Sequence, residues 1–204
     1  MSQEFDDADE QVLREEEAKF ERALGRFVMT YADAEAELYR VLVRYAEVSD
    51  AVARATFSGM RAKGMMDTIR AIAHNTKLDP ARLTDLEFVF AQLASINTTR
   101  DQVVHFSSTQ LLIWSETTSR VLTNVERVRR YGGHFETQIG SKTLDAMTYD
   151  LQAICNHLNL HWGGLRSGPF KPWEENAGEP TTWCYKPTPT TKAMPKAKGT
   201  ERKP

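Results

Sequence analysis

Proline is almost missing from the first 168 residues. Seven of the eight prolines lie at or after Pro169, and the other is Pro80. Proline breaks helices and withdraws a backbone donor, so the body is free to be helical and the C-terminal stretch is not. Cysteine is scarce as well. Cys155 and Cys184 are far apart and fit no zinc or redox spacing, which argues against a disulfide framework and suits a reducing cytosol. No apolar run approaches the length of a membrane span, and the N-terminus is acidic where a secretory leader would be basic and then apolar. These absences predict a soluble, cytoplasmic chain with no membrane partner. No glycine-rich phosphate loop, Gly-x-Ser-x-Gly elbow or His-Glu-x-x-His helix occurs, so neither a cofactor nor a metal ligand set is expected.

What is present is ordinary in bulk and uneven in distribution. A 41% hydrophobic share in 204 residues is enough for one domain with a real core. The net charge of −2 hides an acidic first 25 residues and a basic last 40. Residues 1–17 read as an acidic, partly helical extension, 18–162 as the folded domain, and 163–204 as a Pro- and Lys-rich, mostly disordered tail. Within that tail Phe170, Trp173, Trp183 and Tyr185 are the residues able to dock.

Apolar periodicity predicts four helices. The first carries Phe20, Leu24, Phe27, Tyr31, Ala34, Leu38, Val41 and Tyr45 on one stripe. A second starts near Ser49 or Asp50 and carries Phe57, Met60, Met65, Ile69 and Ile72. A third opens at Asp79-Pro80, with Asp as cap and Pro in the first turn, and carries Leu83, Leu86, Phe90 and Leu93. The last follows Ser141 with Leu144, Met147, Leu151, Ile154 and Leu158. Between the third and last, Leu111–Trp114 and Val121–Val128 read as strands around a turn at Glu116–Ser119. The expected fold class is all-α: an antiparallel four-helix-type bundle with a small β-hairpin inserted between its third and fourth helices.

The chemistry concentrates in Asn97-Thr98-Thr99-Arg100-Asp101-Gln102-Val103-Val104-His105. Leu86, Leu93 and Arg100 are spaced by sevens, so Arg100 falls where the stripe asks for leucine. A cation there must lie at the end of the core, be paired, or face another subunit. Asp101 and His105 share a helix face. Arg100 and His105 are about 140° apart on an ideal helix. Their convergence on one phosphate needs the reach of Arg, a helix end near His105, or copies from two chains. The alternative reading is structural: cations near a helix C-terminus are favourable without any ligand.

At these residues the chain resembles the HEPN superfamily. The likeness rests on the helix order, on the Arg-polar-x-x-x-His motif near the end of the third helix, and on Tyr31-Ala32-Asp33-Ala34-Glu35-Ala36-Glu37-Leu38 in the first. It covers about Phe20 to His161. Asp101 fills the polar position, where Asn is the commoner choice. The resemblance implies an all-α bundle that dimerises through the third helix, which bears the motif, and the fourth. It also implies a metal-independent endoribonuclease with RNA as substrate, leaving 2′,3′-cyclic phosphate and 5′-OH ends. On that reading His105 moves protons and Arg100 holds the scissile phosphate. Family members often act as toxins or in phage defence, so an antitoxin or regulatory protein is an implied partner.

Supporting candidates follow. Glu35 is expected to pair with Arg100 across the bundle, and Asn97 to face the cleft one turn before Asp101. Arg120, Arg127, Arg129 and Arg130 on the hairpin suit an RNA-backbone ridge, against the plainer reading of charges that protect an edge strand. His157 and His161, four apart on the last helix, have metal-compatible spacing but no carboxylate beside them to complete a site. The competing function is a non-catalytic dimeric helical module for a protein partner or nucleotide-like ligand. A third reading is a structural protein that uses its two charged ends.

Overall fold

The computed structural model describes residues 3–105, 107–114, 117–123, 136–163 and 182–187. Among these the protein is mostly helical, with five helices: α1 (Gln3–Ala46), α2 (Asp50–Phe57), α3 (Ala62–Thr76), α4 (Pro80–His105) and α5 (Ser141–Trp162). α1 is one uninterrupted helix of 44 residues, about 66 Å long. The acidic extension is therefore the start of α1, and no break separates it from the domain. Its charges are arranged in i,i+4 and i,i+3 pairs such as Glu10–Arg14 and Glu16–Lys19, worth a few tenths of a kcal/mol each.

From Phe20 onward α1 turns one face inward. Phe20, Ala23, Phe27, Tyr31, Ala34, Leu38 and Val41 are buried on the 3–4 spacing. They meet Met65, Met66 and Ile69 of α3, Leu86, Val89, Phe90, Leu93 and Ile96 of α4, and Leu144, Met147, Leu151, Ile154 and Leu158 of α5 in one core. α1 packs on α5 and α3, and α4 packs on the same two. Each fully buried large side chain stabilises this arrangement by roughly 1.5–3 kcal/mol.

The expected second helix is two. The stripe from Phe57 to Ile72 runs through a turn at 58–61, where Gly59 takes φ +75. Periodicity carries across the turn because Met60 still packs on the core. Ser49 caps α2, its Oγ accepting from Val52 N at 3.5 Å. Gly59→Ala meets no atom within 4 Å, so its whole cost is backbone strain. A loss of about 1–2 kcal/mol in chemical unfolding is expected, and a neutral result would mean the turn can flip.

Asp79-Pro80 opens α4 as expected, with Asp79 Oδ2 accepting from Arg82 N at 3.3 Å. Between α4 and α5 lie three short strands, β1 (Ser107–Trp114), β2 (Thr117–Thr123) and β3 (Glu136–Gly140), each antiparallel to the next in the order β1-β2-β3. Thr117–Ser119, read from sequence as turn, belong to β2, with Trp114 opposite Thr117. β3 was not expected, because a single stretch ending in Gly140 shows no alternation of its own. The rest of the expected second strand, beyond Thr123, lies outside the described residues.

Part of the expected disordered tail is docked. Residues 182–187 lie across α4 and α5 with Trp183 half-buried, Cys184 exposed, Tyr185 buried and Lys186 exposed, a period-2 pattern of an extended segment. Asp150, 1% exposed, anchors it: Oδ1 accepts from Cys184 N at 2.9 Å, and Oδ2 from Tyr185 N and Gln92 Nε2 at 2.8 Å each. Gln92 Nε2 also donates to Tyr185 O at 3.0 Å. Trp183 stacks on Phe88 at 4.7 Å, and the Tyr185 hydroxyl meets Thr99 Oγ1 at 2.5 Å. Side chains thus take the place of a neighbouring strand in satisfying this backbone. Asp150→Ala takes the acceptor from Cys184 N, from Tyr185 N and from one of the two bonds of Gln92 Nε2, and should cost about 2–3 kcal/mol. Chymotrypsin should then cut after Tyr185 at least roughly tenfold faster. An unchanged cleavage rate would show that the aromatic contacts alone hold the segment.

Candidate active site

α4 brings its chemistry out at its C-terminal end. Leu86 and Leu93 are fully buried, and Arg100, on the same register, comes out of the core into a groove of about 500 Å³. The groove is lined by Glu35 of α1, Asn97, Arg100, Asp101, Val104 and His105 of α4, and the 59–63 segment that joins α2 to α3. Arg100 and His105 therefore line one groove within one chain despite their angular separation. His105 is the last residue of α4.

Arg100 is fixed from two sides. Its guanidinium lies 5.1 Å from the centroid of the Tyr31 ring, and Nη1 donates to Asp101 Oδ1 at 3.0 Å. About a quarter of each side chain of that ion pair is exposed, 27% and 29%, so the pair adds little stability and leaves Arg100 open to a ligand. This corrects one expectation: among the described ion pairs Arg100 is matched by Asp101 and not by Glu35. The adjacent carboxylate is nearer, and Glu35 instead forms the groove wall facing α2 and α3.

Tyr31 is the residue that sequence reasoning passed over as core. It is 3% exposed, and its hydroxyl donates to Asn97 Oδ1 at 2.6 Å. Burial pushes its pKa up, the Glu35 carboxylate adds to this, and Arg100 opposes it. The phenol is therefore held protonated. One ring thus positions two groove residues, Asn97 by its hydroxyl and Arg100 by its face. Arg61 and Lys63 also line the groove and were not foreseen. They follow directly on Met60 at the start of α3, where the sequence seemed to continue a helix. Lys63 Nζ bonds Asp67 Oδ2 at 2.5 Å, and both members are largely exposed.

Of the hairpin arginines, Arg120 is placed by backbone register opposite Leu111 and Ile139. Its side chain, with Arg127, Arg129 and Arg130, lies outside the described residues.

A second polar cluster sits inside the core. Asp85 of α4 takes His157 Nδ1 on Oδ1 at 3.1 Å and His161 Nε2 on Oδ2 at 2.8 Å, and the other ring nitrogen of His161 meets the Tyr45 hydroxyl at 2.8 Å. All three charged-type residues are buried. Burial alone would raise the Asp85 pKa, but the two imidazole hydrogen bonds outweigh it and hold the carboxyl at about 2. The carboxylate that the His157–His161 pair lacked in sequence is thus supplied by another helix. Among the described residues no group of three or more His, Cys, Asp and Glu is arranged to hold a metal ion. No helix among them is long and apolar enough to cross a membrane.

No family model, no curated protein and no solved structure matches the chain.

Proposed function

We propose that the protein is a HEPN-type endoribonuclease whose active groove is the one between Arg100 and His105. The observation that carries the reading is that both residues line one open groove rather than a packed interior. The helices around it then form the bundle of that superfamily, with the strands between α4 and α5 as the insertion. In the proposed reaction the 2′-oxygen of a ribose attacks the adjacent phosphorus while His105 takes its proton. The P–O5′ bond breaks, the 5′-oxygen takes a proton from an imidazolium (that of His105 or of a second copy of it), and a 2′,3′-cyclic phosphate remains. Arg100 is the bidentate donor to the phosphate oxygens as charge grows on them. Asp101 and Tyr31 hold Arg100, and Asn97 is oriented towards the same phosphate. No metal or cofactor is needed in this scheme.

A dimer through α4 and α5 would place a second His105 near the first and divide the base and acid roles between them. Such a dimer must accommodate the 182–187 segment, which already covers Gln92, Thr99 and Asp150 of those helices. A toxin or defence role, with a regulatory partner, is the biological setting this activity suggests.

The test is cleavage of mixed-sequence RNA by the purified chain in EDTA, with the product ends analysed. Cyclic phosphate and 5′-OH ends are expected. Loss of all cleavage in EDTA, or 3′-OH and 5′-phosphate ends, would sink the mechanism. Intact, dimeric protein that cuts no RNA would favour the non-catalytic module.

A further inference from the structure

Three depressions join end to end along α1. The Arg100–His105 groove shares Glu35, Gly59 and Met60 with a neighbour of about 430 Å³ that also touches Tyr39 and Arg54. Tyr39 and Arg54 in turn wall a third depression of about 440 Å³, closed by Arg40, Arg44 and Trp162. The shared walls set the three side by side along α1 as a segmented trough, with His105 lining the first part and Trp162 the last. From Glu35 to Arg44 its α1 side spans about 14 Å.

The far end has three guanidinium groups, Arg40, Arg44 and Arg54, and one carboxylate, Asp50. Arg40 pairs with Glu37 and lies 5.4 Å from the centroid of the Trp162 ring. Trp162 Nε1 donates to Glu37 Oε2 at 2.5 Å, which sets the ring's orientation. Arg44 and Arg54 are exposed, and neither is matched by a carboxylate among the described ion pairs. Two cations with no carboxylate partner among the described ion pairs stand beside two half-buried aromatic rings, Tyr39 and Trp162, that line the same depression, so phosphate contacts and aromatic contacts to bases are available together. That is the combination that binds unpaired nucleic acid with little regard to sequence. An acidic peptide would use the cations and leave the rings without a role.

We infer that the Tyr39–Arg54–Trp162 end of the trough is a subsite for single-stranded RNA flanking the bond cut at Arg100 and His105. The inference rests on the ribonuclease reading for the cut itself. At about 3.4 Å per stacked nucleotide the α1 side accommodates roughly four nucleotides. Paired RNA is disfavoured because its base faces are not free to stack.

The experiment uses the full chain and two probes, fluorescein-labelled octaadenylate and octauridylate. Binding is followed by anisotropy against salt in the His105→Ala background, with and without Arg44→Gln and Arg54→Gln. The double replacement should weaken octamer binding about tenfold and flatten the log–log salt slope by about 1.4, two contacts at ~0.7 each. In the otherwise wild-type chain the ratio of octamer to dinucleotide kcat/KM should fall about tenfold as well. Equal octamer affinity and slope with and without the two arginines would overturn the subsite, as would failure of the His105→Ala chain to bind either octamer. If Arg44 and Arg54 govern the slope but the wild type cuts neither RNA, the subsite stands and the nuclease reading falls.

Discussion

His105→Ala should lower RNA cleavage by about 10²–10⁴-fold while leaving the fold intact. His105 ends α4 and is half-buried at the groove, outside the core, so replacing it removes a proton carrier with little loss of packing. Arg100→Ala should cost about 10²–10³-fold, the usual loss for one donor to a developing oxyanion. Arg100→Lys should recover only part of this, because a point charge reproduces neither the forked donors nor the stacking over Tyr31. Tyr31→Phe separates positioning from chemistry. It keeps the ring under Arg100 and deletes the bond to Asn97. The expected result is a fall of about tenfold in kcat with KM nearly constant, since one neutral hydrogen bond is worth about 1 kcal/mol. RNA cleavage by His105→Ala and Arg100→Ala at the wild-type rate, with the same product ends, would remove both residues from the reaction.

Much of this arrangement is legible in the sequence because it follows from local rules. The 3–4 spacing from Phe20 to Val41 gives α1, and Asp79-Pro80 gives the start of α4. Arg100 announces itself by standing on the Leu86–Leu93 register, a misfit that periodicity can detect. The break at Gly59 is hidden for the opposite reason. Met60 keeps the stripe in phase, so the turn that brings Arg61 and Lys63 to the groove looks like continuous helix. The Arg100–Asp101 pair is not legible because helix spacing says which residues share a face and nothing about which of two nearby carboxylates is closer.

What the sequence hides is long-range and polar. Asp85 is 72 and 76 positions from its two histidines, and Asp150 is 34 and 35 from the backbone it holds. Composition marks residues 163–204 as lacking the apolar periodicity of a core-forming segment. It cannot say that a Trp-Cys-Tyr alternation finds a ready-made surface on α4 and α5. The same logic governs the trough, whose two ends come from all five described helices and share no motif.

The largest stability loss is expected at the Asp85 cluster. Asp85→Ala removes the partner of one ring nitrogen on each of His157 and His161 inside the core, and breaking a buried pairing of this kind typically costs about 3–5 kcal/mol. For a chain of this size the melting temperature should drop by about 10 °C. Asp85→Asn keeps the shape and one acceptor, so it should lose less. Acid sensitivity supplies an independent arm. The Asp85 carboxyl is depressed from 3.8 to about 2, so its contribution is fully present above pH 3.8 and is lost as pH falls through about 2. That shift corresponds to roughly 2–3 kcal/mol. Wild type should therefore steepen in acid unfolding between pH 4 and 2, and Asp85→Ala should be flatter in the same window. A variant that melts within 2–3 °C of wild type, a shift of only about 1 kcal/mol, and shares its acid profile would show that the histidines find other partners when the carboxylate is gone. It would also make the cluster a passenger in the core rather than the tie between α4 and α5.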